Sequence, residues 1–214
     1  MVETVLAGSS RYFRDVNLSE DIAGKYEIGQ ILTERAFLDA TDKIGGLLTT
    51  HRYLILSSYM ADFSKLEKDT NWGLHAANRD SRFKVIDIYE FDGKTQIALV
   101  QLPEGFESVF ENTLKIEKEI VEELRHEFKK TLKSEPIPEV NTPEWYLRCS
   151  FPIGMSDEGE FFYRLVTSLF YFSTYNFIIS FVAIIILMVN IVICILIGAV
   201  FHYIVCCQGP PNAS

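Results

Sequence analysis

The densest group of chemistry-bearing side chains in the chain is His51 and Arg52, followed by Trp72, His75, Asn78, Arg79 and Asp80. Arg52 and Arg79 could grip an anion or a carboxylate, and Asp80 could orient a histidine. Binding groups concentrate at strand ends and in adjoining loops, so these seven residues form the candidate ligand site. The plainer reading makes Asn78, Arg79 and Asp80 turn residues and His51 a strand-surface residue.

Two other patterns invite a chemical reading and lose it. Glu123 and His126 have the E-x-x-H spacing of di-iron carboxylate helices. That chemistry needs a second such motif and two further glutamates, and only one copy exists. Both residues also lie opposite the apolar stripe of Val121, Leu124 and Phe128, which turns them to water. Cys149 could act as a nucleophile with His51 or His75 as its base. A lone cysteine in "WYLRCSF" more simply fills a small buried space. No phosphate-binding loop, dinucleotide fingerprint, zinc-protease motif, nucleophile elbow or kinase signature occurs. No catalytic residue, metal ligand or cofactor is assigned.

The elements that must position these residues follow from local patterns. "FKVIDIYEFDGKTQIALVQLP" holds two β-rich runs around Asp92-Gly93, a two-residue loop suited to a type I′ hairpin. Its register sets Ile88 against Ile97, Ile86 against Leu99, Tyr89 against Gln96 and Asp87 against Ala98, a half-buried pair. "THRYLILSSY" reads as another strand. "EIGQILTERAFLDATDKI" reads as a helix through Ile28, Ile31, Leu32 and Leu38, and "KDTNWGLHAANRDSR" as a polar loop. The main helix is expected from about Glu107 to Lys133, opened by the Ser108/Glu111 capping box and closed by Pro136 and Pro138. "TPEWYLRCSFPIG" reads as an extended segment and "MSDEGE" as a linker. The expected fold is α+β: a small antiparallel sheet with packed helices, followed by one C-terminal transmembrane helix.

That last element comes from composition. The chain has 214 residues and a formal net charge of -9, yet Leu165 to Ser214 carries no Asp, Glu, Lys or Arg. A bilayer core of roughly 30 Å takes about 20 apolar residues in a helix, and the stretch from Phe177 to Cys207 exceeds that. The expected organisation is a cytoplasmic domain over 1–154, a linker and aromatic interfacial collar over 155–176, the span over 177–207 and a tail over 208–214. Two spans in a hairpin would want Gly, Pro or a polar cluster at the middle of the run, and none sits there. Arg148 and Arg164 on the N-terminal side point the domain to the cytoplasm. Asn176, Ser180, Ala183, Asn190, Cys194 and Gly198 fall within about 80° of one another on a helix, a stripe suited to helix–helix contact. Cys206 and Cys207, at the expected boundary, could be acylated.

The acidic balance of the remainder excludes a non-specific nucleic-acid binder, which needs a cationic surface. The expected partners are a lipid bilayer and either a second copy or another transmembrane protein. The expected function is a membrane-anchored binding or regulatory protein whose cytoplasmic domain engages a partner or ligand. The alternatives are a membrane-permeabilising effector that oligomerises through its span and a membrane-bound enzyme.

Overall fold

The structure, a computed structural model, describes residues 8–103 and 115–162. They belong to one unit, Met1–Arg164. Eight strands form a single mixed sheet: β1 (Ser10–Val16), β2 (Ile31–Glu34), β3 (Leu38–Thr41), β4 (His51–Ser57), β5 (Ala61–Asp62), β6 (Leu74–Ala77), β7 (Ser81–Phe91) and β8 (Lys94–Leu102). Three α-helices accompany it among the described residues: α1 (Glu20–Ala23), α2 (Lys115–Thr131) and α3 (Pro143–Arg148). The strand order is β2-β7-β8-β4-β1-β3-β6-β5. Neighbours are antiparallel except β4 and β8, which run parallel.

The expected small antiparallel sheet with packed helices is therefore corrected to a large mixed sheet with few helices. The main source of the error is residues 27–44. Their apolar positions fit a helical spacing loosely, but in the structure Ile28 is 62% exposed while Leu32 and Leu38 are buried. No single helical face collects them. The segment instead forms β2, which pairs with β7, and β3, which pairs with β6. Long-range backbone pairing decides the outcome, and a local period cannot see it. The supposed polar loop 68–82 supplies β6 in the same way.

β4 and β8 explain why the sheet is a core element. Every residue of β4 is buried, because the strand lies between β1 and β8 with apolar side chains on both faces. Tyr53 and Ile55 pack on one face with Tyr12, Phe83, Val85, Ile97 and Leu99. Leu54 and Leu56 pack on the other with Phe13, Ile86, Ala98, Val100 and Leu124 of α2. The β7–β8 hairpin turns at Asp92 and Gly93, both at positive φ (54° and 68°), as a type I′ loop requires. The pairs Ile88–Ile97, Tyr89–Gln96 and Asp87–Ala98 match the sequence-based register. Beyond them a bulge between Val85 and Asp87 puts Val85, not Ile86, opposite Leu99. The extra residue moves the odd-numbered Phe83 and Val85 to the face of the even-numbered Ile88. The hairpin is buried on both sides of β8 rather than half-buried, because α2 covers the second face.

The segment after α2 also departs from expectation. Thr142 accepts a hydrogen bond from the Trp145 amide (3.2 Å) and Pro143 occupies the first helical turn, so α3 forms where an extended segment was expected. Trp145 and Cys149 are buried with Val140, against Trp72. Ile153 and Met155 then enter the main core, and Met155 bridges to Phe161.

Candidate functional site

An arginine-lined cleft of about 760 Å³ opens beside β1, β3 and the segment that follows α3. That volume falls in the usual range for a small-molecule site. Its cationic members are Arg14, Arg35, Arg79 and Arg148, and its aromatic members are Phe37, Phe151 and Phe162.

Arg14 is the unusual residue. β1 alternates Tyr12, Arg14 and Val16 toward one face, and that face belongs to the main apolar core. Arg14 is only 3% exposed. Its Nη1 donates to the Asp39 carbonyl (3.1 Å) and its Nη2 to the Phe151 carbonyl (3.0 Å). Its Nε has no hydrogen-bond partner among the described residues, and no carboxylate there forms an ion pair with it. An unpaired buried cation is costly, so it draws an anion toward the cleft.

The other walls are fixed by short local structures. Arg148, at the end of α3, donates from Nε to Asp39 Oδ2 (2.5 Å), and its guanidinium lies 5.7 Å from the Trp72 ring centroid. The β2–β3 loop carries Arg35, whose guanidinium sits 5.1 Å from the Phe162 ring centroid. The same loop presents Phe37, 64% exposed, and Phe151 across from it is 51% exposed. Arg79, in the β6–β7 turn, donates to the Arg35 carbonyl (3.3 Å). Glu34 is buried at the end of β2; one carboxylate oxygen accepts from the Ala36 amide and the other from the Gly154 amide, each at 2.9 Å. Both its oxygens are thus occupied in shaping the loops. The arrangement can hold phosphate or carboxylate oxygens on guanidinium groups and a planar ring on an aromatic or guanidinium face.

The residues expected from sequence are spread widely. Arg79 alone of the seven lines the cleft. Arg52 is 1% exposed and forms a two-pronged pair with Asp15 (2.6 and 2.7 Å), with a further bond to the Gly45 carbonyl. His51 starts β4 and contacts Thr50, and burial lowers its pKa below the ordinary 6.5. Trp72 packs against Trp145, the rings tilted by 47° with centroids 5.4 Å apart. His75, on β6, lies 4.8 Å from the Tyr12 ring and 3.9 Å from Asp62. Asn78 and Asp80 are exposed in the β6–β7 turn with Arg79, Asp80 at positive φ. Glu123 is occupied by Arg11 (2.6 Å). Cys149 is fully buried, and burial pushes its thiol up to about 11, which suits a filler and not a nucleophile. Arg14 escaped the sequence reading. Its signal was an arginine at the core-facing position of "YFRDV", visible only once that stretch is taken as a strand.

The stripe of Asn176, Ser180, Ala183, Asn190, Cys194 and Gly198, the expected span 177–207, and Cys206 and Cys207 lie outside the described residues. Among the described residues no helix is long and apolar enough to cross a membrane.

No family model matches the chain, and no curated protein matches it. Several solved structures are similar over part of their length. The ADP-ribosyltransferase HopU1 of Pseudomonas syringae is 17% identical, with 44% of this chain and 45% of that one covered and a TM-score of 0.41. The type III effector XopAI of Xanthomonas axonopodis is 18% identical, with 44% and 42% covered and a TM-score of 0.40. Exoenzyme S of Pseudomonas aeruginosa, bound to carba-NAD and a 14-3-3 protein, is 13% identical, with 52% and 61% covered and a TM-score of 0.39. The matches span about half of these proteins, and no residue of the cleft is assigned from them. The expectation of a membrane-anchored binding protein with a cytoplasmic domain is corrected on this finding: among the described residues no helix is long and apolar enough to cross a membrane.

Proposed function

We propose that this chain binds a nucleotide-class ligand, phosphate joined to a planar base, in the arginine-lined cleft, and that a dinucleotide is the preferred member. The single observation that carries the reading is Arg14: buried, without a carboxylate partner, and with one N–H donor unsatisfied in the cleft wall. Two arginine groups flank the space, Arg14 with Arg148 around Asp39 and Arg35 with Arg79 at the β2–β3 loop. Two groups suit two phosphates better than one. Phe37 and Phe151 offer exposed ring faces for a base, which stacks favourably whatever its identity. Of the residues expected from sequence, Arg79 belongs to this site.

The test is calorimetric titration of the full chain with NAD, ADP, ATP and inorganic phosphate. Binding of the nucleotides, tighter than phosphate and lost in Arg14→Met, is expected. No nucleotide binding by the wild type would end the proposal. ADP-ribosyl transfer, the activity of the similar HopU1, would consume a ligand of this class. For this chain it is a second readout, not a support: nicotinamide release from NAD in the same samples would extend the reading from binding to group transfer.

A further inference from the structure

One wall of the cleft, Phe151 to Met155, is irregular backbone, yet it is anchored from beneath by two tyrosines that do not line the cleft and by Glu34, which does. The Tyr26 hydroxyl donates to the Ile153 carbonyl (2.8 Å), and the Ile153 amide donates to the Tyr53 hydroxyl (3.4 Å). The two hydroxyls lie 2.7 Å apart. Because the Tyr26 proton is used on Ile153, Tyr53 must be the donor between them. Both rings are buried, and burial raises both phenols, Tyr53 to about 12, so they stay neutral donors throughout the working range. One residue on, Glu34 accepts from the Gly154 amide. Gly154 has φ +78°, and a Cβ there would stand 2.8 Å from Leu32 Cβ, so the wall is seated against β2 with no slack.

We propose that Tyr26 and Tyr53, with Glu34, are positioning residues for the cleft: they hold the Phe151–Met155 wall at the distance from Arg14 that the ligand requires. The proposal rests on the nucleotide-binding reading above. A main-chain wall without regular pairing has few ways to keep its place, and here a closed loop of four hydrogen-bonding groups replaces the missing strand partner. Phe151 is the exposed end of that wall, and its carbonyl is one of the two acceptors of Arg14. A shift at Ile153 therefore reaches the anion-binding group directly.

The experiment compares the full-length wild type with Tyr26→Phe, Phe151→Ala and the double variant, by amide hydrogen exchange and NAD titration. Tyr26→Phe removes one oxygen from a buried ring. It should speed exchange at Ile153 and Gly154 by about tenfold while β4 and β8 keep their protection. It should also weaken NAD by about fivefold, the scale of one net hydrogen bond. In the Phe151→Ala background the part of that weakening carried by the Phe151 ring should vanish, while the part carried by the Phe151 carbonyl on Arg14, which alanine keeps, remains, so the two changes should be less than additive; a merely structural role for Tyr26 would leave them fully additive. Glu34→Gln is the second variant, because an amide can accept from only one of the two backbone donors, and it should give the same local exchange. Unchanged exchange at Ile153, unchanged NAD affinity in Tyr26→Phe, or full additivity with Phe151→Ala overturns the inference alone. A wild type that binds no nucleotide overturns the reading it rests on.

Discussion

Arg14 and Arg52 are both buried arginines on neighbouring strands, and their truncation should have opposite consequences. Arg52→Met leaves Asp15, held by two bonds of 2.6 and 2.7 Å, as a charge without its partner. Breaking a buried pair in this way costs about 3–5 kcal/mol. For a domain of this size that is a fall of roughly 6–20 °C in Tm. Arg14→Met removes two charge-assisted bonds to carbonyls, together about 3–6 kcal/mol. It also removes an unpaired cation from an apolar face, whose desolvation cost is several kcal/mol. The two nearly cancel, so the net change should stay within about 2 kcal/mol. Ligand binding should reverse the order. Truncating one partner of a desolvated charge contact costs about 2–5 kcal/mol, at least roughly 30-fold in Kd. Thermal unfolding of the full chain, followed by the fluorescence of Trp72 and Trp145, gives the stability arm, and nucleotide titration gives the other. Equal destabilisation by the two variants would show that Arg14 is a structural ion with a partner. Nucleotide affinity surviving in Arg14→Met would refute its role as the anion site.

Two further outcomes follow from the same geometry. His51 is lowered from 6.5 by burial, so the unfolded chain takes up its proton first. Its contribution to stability is whole above about pH 6.5 and is lost as pH falls through the lower folded value; urea midpoints of His51→Gln should show a flatter pH dependence just below 6.5 than the wild type, and parallel curves would refute this. Gly154→Ala should cost about 1–3 kcal/mol, because it adds a Cβ at φ +78° against Leu32; a melting temperature equal to wild type would show the wall is free to move.

What could be read in the sequence was local. The Asp92-Gly93 turn demands two positive φ values, which few residue pairs accept, so the β7–β8 hairpin and most of its register were legible. The run "RYLILS" was legible as a strand, and the structure buries it along its whole length. The lone cysteine in an aromatic setting was legible as a filler. The bulge at Ile86 was not, since it depends on what β4 and α2 present to each face of the hairpin.

The sequence by itself determined the turn at Asp92-Gly93, the strands on either side of it, the strand in "THRYLILSSY" and that the last fifty residues carry no charged side chain. Only the tertiary structure decided that residues 31–41 are strands rather than a helix, because their partners β6 and β7 lie some thirty to fifty residues away along the chain. The same holds for the cleft. Arg14, Asp39, Arg79 and Arg148 are separated by tens of residues, and the sheet order brings them together. Burial is what distinguishes them: an arginine's unpaired N–H has no cost in water and a large one inside a fold, and no residue letter records which of the two it occupies.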